Sequence, residues 1–266
     1  MTQAPHQSDA DLARSVALAA GAVLRGLCVG GACPDAELGD RGDKDANTLI
    51  QSLIRAARPD DFILSEEAAD DGERCAASRV WVVDPLDGTR EFRERRDDWA
   101  VHIGLAIDGV PVTGAVALPA EDLVFATDDL PEVLPPAPLR PRMVVSRSRA
   151  HPIVMRVAEA IGADLVPMGS AGAKAMAVVR GDAEIYLHAG GQYEWDNCAP
   201  VAVALAAGLH ASRIDGSTLV YNCRDPLLPD VLICRPEYAE QVLRRWPRPR
   251  PRPRPLRAEP RPIGCI

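Results

Sequence analysis

Residues 81–92 read WVVDPLDGTREF, from Trp81 to Phe92. The run Trp81-Val82-Val83 is apolar and β-branched, so it reads as a buried strand that delivers Asp84 at its carboxyl end. Pro85 keeps Asp84 extended. Asp87 follows three residues on, Gly88 permits a tight backbone path, and Thr89 opens a short helix. Two carboxylates on so sharp a turn face one point. The amides of Gly88 and Thr89 face it too, as an anion site at a helix start. Hard oxygen donors favour Mg²⁺, Mn²⁺ or Ca²⁺ over zinc. Carboxylates and free amides together suit a metal-bound phosphate.

Two further acidic sites flank this stretch. Glu66-Glu67 ends the short strand Phe62-Ile63-Leu64, and Glu194-Trp195-Asp196 opens a helix of small residues running to about Ala207. Carboxylates gathered from distant segments are what a phosphatase with two or three metal ions requires.

Working outward, residues 9–27 carry a helical repeat, with Ser8 and Asp11 as a capping pair. Residues 28–46 are rich in Gly and Asp and read as a loop, followed by a helix over 47–58 with Asn47 as N-cap. Residues 99–127 alternate as strands joined by an Asp108-Gly109 turn. Residues 1–130 therefore form an N-terminal half carrying the metal motifs. The Pro-rich segment 131–141 is a linker, and 142–246 form a second half of mixed strands and helices with the substrate pocket. Residues 247–266 alternate Pro and Arg and read as an extended tail. The pattern implies helices layered on two sheets.

The chain has 266 residues and a net charge of −8. The tail holds six Arg against Glu259, so residues 1–246 carry −8 − 5 = −13. That charge argues against a nucleic-acid partner. No apolar run is long enough to span a membrane, and the polar, acidic start does not read as a secretory signal, so a cytoplasmic protein is expected. Seven Cys at irregular spacing support neither disulfides nor a zinc site; Cys198 is set apart by lying beside the acidic Glu194–Asp196 site. Only Lys44 and Lys174 are lysines, against 28 Arg.

Glu66-Glu67, DPLDGT and Trp195-Asp196, in that order, resemble the signature of the inositol monophosphatase superfamily of Mg²⁺-dependent, lithium-sensitive phosphatases. Val145-Ser146-Arg147-Ser148-Arg149, Gly169-Ser170 with Lys174, and Ile185-Tyr186-Leu187 resemble its bisphosphate nucleotidase branch. The resemblance implies an α+β fold, a layered α-β-α-β-α sandwich, with two or three Mg²⁺ per site and a homodimeric state. It implies that Glu66, Asp84 and the Leu86 carbonyl hold one metal, and Asp84, Asp87 and Asp196 a second. Thr89 would orient or deprotonate the attacking water, and the amides of Gly88 and Thr89 would bind the scissile phosphate. Ser146, Arg147, Arg149, Ser170, Lys174 and His188 would receive the rest of the substrate, with Tyr186 stacked on a base. The implied reaction removes the 3′-phosphate of adenosine 3′,5′-bisphosphate, serving sulfate assimilation. Inositol 1-phosphate or fructose 1,6-bisphosphate is the alternative substrate. Three departures stand out: Asn47 where the family has Asp, Arg149 where the branch often has His, and His188 where relatives place Arg. Asp43 or Asp45 would be the carboxylates to compensate for Asn47.

Overall fold

The computed structural model describes residues 7–30, 37–130 and 134–246. Two helices come first, α1 (Asp9–Gly30) and α2 (Leu38–Ala57). Ser8 caps α1 by accepting from the Asp11 amide at 3.0 Å while its hydroxyl donates to the Asp11 carboxylate at 2.7 Å. Strands β1 (Phe62–Ser65), β2 (Arg79–Asp87), β3 (Ala100–Ile107), β4 (Val110–Leu118) and β5 (Leu123–Ala126) form one sheet in sequential order. β1 and β2 are parallel; the remaining pairs are antiparallel. The five-residue helix α3 (Thr89–Arg93) follows β2 after Gly88, whose φ of 91° lies in the left-handed region.

The second sheet runs β7-β6-β8-β10-β9, with β6 (Arg142–Ser146), β7 (Asp164–Met168), β8 (Ile185–Tyr193), β9 (His210–Ser212) and β10 (Leu227–Cys234). Helices α4 (Pro152–Ile161), α5 (Ala171–Val179), α6 (Glu194–Ala206) and α7 (Pro236–Arg245) complete the chain. Residues 134–141 carry no helix or strand.

Three buried clusters define the layers. One joins α1 and α2 to the first sheet through Leu24, Ile50, Trp81 and Ile103. A second fills the space between the sheets with the small residues of α5 and α6. The third seats α4 and α7 on the outer face of the second sheet. The order is helix, sheet, helix, sheet, helix, as the expected sandwich requires.

One expectation fails. Residues 38–46 are helix, not loop, and Asn47 sits inside α2 instead of capping it. The glycines there serve close packing. A Cβ at Gly39 would run into the Arg93 guanidinium and stand 2.7 Å from Thr89 Cγ2, so Gly lets α2 lie this close to α3 without moving those side chains. The Pro-Arg tail, and residues 131–133 of the expected linker, lie outside the described residues.

Candidate active site

The sharp turn at the end of β2 does what its sequence implies. Asp84 is buried, and its Oδ1 accepts the Leu86 amide at 3.0 Å, which fixes the turn. Thr89 donates its hydroxyl to the Leu86 carbonyl at 3.2 Å, leaving the oxygen lone pairs free to accept. Asp196 arrives from the first turn of α6, held by the Tyr193 amide at 2.6 Å. Asp84, Asp87 and Asp196 offer carboxylate oxygens that all lie within 4.8 Å of one another. Glu66 stands at the rim with its carboxyl within hydrogen-bonding reach of Asp84.

The charges repel. Burial, with Glu66 and Asp87 close by, raises Asp84 well above the usual carboxylate range. Burial and the nearby Asp196 push Glu66 up to about 7. Burial and Asp87 push Asp196 up to about 6. Asp87 differs. Burial alone would raise it, but His102 and the amides of α5 reverse the sign and hold it low. Its two oxygens accept from Ala171 N at 3.1 Å and Gly172 N at 2.6 Å. A buried set of hard donors with unbalanced negative charge is the chemistry that divalent Mg²⁺ or Mn²⁺ satisfies. The residues present therefore fit such ions.

A further carboxylate comes from α2. Asp43 is buried, carries a side-chain oxygen with no hydrogen-bond partner, and is raised to about 7 by burial and by Glu67 and Glu66. Asn47 lies one turn later and is committed elsewhere. Its Oδ1 accepts the Ser65 hydroxyl at 2.8 Å and the Gln51 amide at 3.1 Å. On α2 it is thus Asp43, not Asn47, that keeps an unpartnered carboxylate oxygen and feels the charges of Glu66 and Glu67. Asp45 points away and pairs with Arg41 on the exposed face.

One cavity of about 600 Å³ joins these groups to the second half of the chain. Glu66, Asp84, Leu86, Asp87, Gly88, Thr89 and Asp196 line it, and across from them lie Ser146, Arg149, Ser170, Lys174 and His188. Lys174 is buried; its ammonium donates to the carbonyls of Gly169 and Ser170. Burial pulls it down to about 8, against the nearby Asp87 and Glu91. Burial and the Lys174 charge pull His188 down to about 4, so the ring is neutral at pH 7.

Two expected substrate residues are not brought into the cavity. Arg147 turns away and pairs with Glu91 at 2.8 Å and Glu94 at 2.6 Å, because α3 presents two carboxylates beside β6. Tyr186 is 1% exposed; its hydroxyl accepts from Gln192, and Lys174 covers its ring at 5.5 Å, so no base can reach it. Cys198 is buried on α6, where burial holds its thiol protonated.

Residues that the sequence reading passed over also line the cavity, among them His151 and Tyr193, beside the Trp195 of the Trp195-Asp196 motif. Others brace it. Asp98 binds the Gly169 amide at 2.6 Å, and His102 contacts Asp87. His102 carried a signal: it is the lone polar side chain in the apolar run Trp99–Ile107.

The sequence profile of the inositol monophosphatase family matches residues 13–133 and 138–246. A Mycobacterium tuberculosis protein named 3′-phosphoadenosine 5′-phosphate phosphatase is 51% identical over 215 residues, covering 77% of this chain and 80% of that one. The Escherichia coli K12 3′(2′),5′-bisphosphate nucleotidase CysQ is 32% identical over 197 residues, covering 70% and 80%. Among solved structures, CysQ from Bacteroides thetaiotaomicron superposes with a TM-score of 0.77 at 25% identity, covering 87% of this chain and 98% of that one. Inositol monophosphatase II from Staphylococcus aureus shares the fold, with a TM-score of 0.75 at 21% identity, covering 88% and 91%.

Proposed function

The chain belongs to the inositol monophosphatase family, and from that premise we propose that it is a phosphoric monoester hydrolase removing the 3′-phosphate of adenosine 3′,5′-bisphosphate. One observation carries the reading: a carboxylate cluster and a buried lysine share one cavity. A substrate with two phosphates needs both, one wall for the ester that is cut and a cation for the phosphate that is kept. The mycobacterial relatives at about half identity bear names for that activity.

Glu66, Asp84, Asp87 and Asp196 would hold two Mg²⁺ ions, with the Leu86 carbonyl; Asp43, whose carboxyl feels the charges of Glu66 and Glu67, would add a carboxylate for a third. Bound there, the ions supply charge for the phosphoryl oxygens and acidify water. The protein's own groups do the rest. The Thr89 hydroxyl, fixed by the Leu86 carbonyl, accepts a hydrogen bond from the attacking water and orients it. The Gly88 and Thr89 amides receive the scissile phosphate. Lys174, Arg149, Ser146 and Ser170 receive the second phosphate, with the His188 ring, neutral at pH 7, beside them. Residues 1–130 supply most metal carboxylates and 142–246 the substrate wall, joined through 131–141. We take the protein to be a cytoplasmic homodimer, inhibited by lithium at the Asp84–Asp87–Asp196 site, that recycles the nucleotide by-product of sulfate assimilation.

Phosphate release from adenosine 3′,5′-bisphosphate, inositol 1-phosphate and fructose 1,6-bisphosphate, with Mg²⁺ present, tests the reading. The nucleotide should give the highest kcat/KM. A preference for either sugar phosphate would replace it with the sugar-phosphatase alternative.

A further inference from the structure

We propose that Tyr193, lying flat on Trp195 at the cavity wall, is the platform on which the substrate's base stacks. The inference rests on the nucleotide reading above and deepens it. Among the described residues, Tyr193 and Trp195 are the only carbocyclic or indole side chains lining the cavity. Their rings are stacked, with centroids 4.7 Å apart and planes 7° from parallel. Trp195 itself packs against the core between the sheets. Tyr193 is 45% exposed, so the ring face turned away from Trp195 is open. An exposed aromatic face beside a polar cavity is costly in water and useful to a base, since a flat π-system buries it completely.

The position fits the chemistry. The Tyr193 amide donates to Asp196, so the platform is tied to a carboxylate of the phosphate end of the cavity. Gly190 and Gly191 line the wall just before Tyr193 and leave it without side chains there. Stacking reads the face of a base and not its edges, so this platform selects for a base over a bare sugar but discriminates weakly among purines.

The test compares two substrates that carry the same pair of phosphates. One is adenosine 3′,5′-bisphosphate; the other is the abasic 3,5-bisphosphate of 1,2-dideoxyribose. Tyr193→Ala should raise KM for the adenosine compound by about tenfold more than for the abasic one, the scale of one base–aromatic stack. Tyr193→Phe should recover most of that difference, because the ring and not the hydroxyl is the contact. Guanosine 3′,5′-bisphosphate should follow adenosine. Equal KM increases on both bisphosphates would make Tyr193 structural and overturn the proposal, as would no increase on either. If the wild-type protein does not cleave adenosine 3′,5′-bisphosphate at all, it is the nucleotide reading that fails, and the abasic arm separates that outcome from a missing platform.

Discussion

His102 Nε2 stands 3.1 Å from Asp87 Oδ2, inside the sandwich and fully shielded from solvent. The ring's other nitrogen, Nδ1, lies 3.0 Å from the Trp195 carbonyl, one residue before Asp196. Both neighbours are acceptors, so the ring is best served by carrying both protons. Asp87 favours that state enough to overcome burial and raise His102 above its ordinary value. Strand β3 thus ties together two carboxylates that come from opposite halves of the chain.

His102→Asn should therefore weaken divalent-ion binding without unfolding the protein. Loss of a group that orients a metal ligand costs about 10- to 100-fold in metal affinity. Mg²⁺ titration by calorimetry, alongside Mg²⁺ activation of turnover, should show matching shifts. Unchanged metal affinity would mean that His102 only fills space.

Asp84→Asn should lower kcat/KM by on the order of 10³-fold, about 4 kcal/mol of barrier, since Asp84 is the most buried of the clustered carboxylates. Activity within tenfold of wild type would remove the site assignment.

Lys174→Met keeps the side-chain volume and removes the charge. kcat/KM for adenosine 3′,5′-bisphosphate should fall roughly 10- to 100-fold, the worth of a charge-assisted contact, while inositol 1-phosphate loses far less. The ammonium sits at about 8, so its charge fades as pH rises through that value. KM for the bisphosphate should climb from pH 7 to 9 in the wild type and stay flat in the variant. A parallel climb in both would assign the effect to another group.

Arg147→Ala should not discriminate between substrates. The guanidinium is spent on Glu91 and Glu94, so its loss unties α3 from β6. Melting temperature should drop by a few degrees, and kcat/KM should fall by the same factor on bisphosphate and monophosphate. A bisphosphate-selective loss would put Arg147 back in the substrate pocket.

Without metal, Glu66 and Asp43 are raised to about 7 and Asp196 to about 6, against about 4 in an unfolded chain. The folded metal-free protein therefore binds protons more tightly than the unfolded one, and its stability falls as pH rises from about 4 to 7. Mg²⁺ needs the ionised carboxylates and should restore what is lost. The gap in melting temperature between Mg²⁺ and a chelator should be wider at pH 8 than at pH 5.5. A gap independent of pH would mean that the ions bind elsewhere.

Features that depend on local order are legible in the residues alone. A β-branched run ending in Asp-Pro, with Asp-Gly-Thr three residues on, forces one turn, and that turn puts Asp84, Asp87 and Thr89 where they stand. Apolar periods of two and of three to four residues set the strands and most helices, and their alternation set the layers. Features that depend on which distant groups meet emerge only when the chain packs. The Gly39–Asp43 stretch looks like a loop because its glycines are there for close packing: Gly39 against Thr89 and Arg93, about 50 residues away, and Gly42 against Leu24, Leu86 and Phe92. Arg147 looks like a phosphate ligand until α3 brings two carboxylates to it. Tyr186 and Tyr193 are seven residues apart on one strand; the first is sealed behind Gln192 and Lys174, and the second is left open on Trp195. Residue type and spacing fix the backbone path, but burial and charge partners come from chain segments that only the packed sandwich brings within a few ångströms.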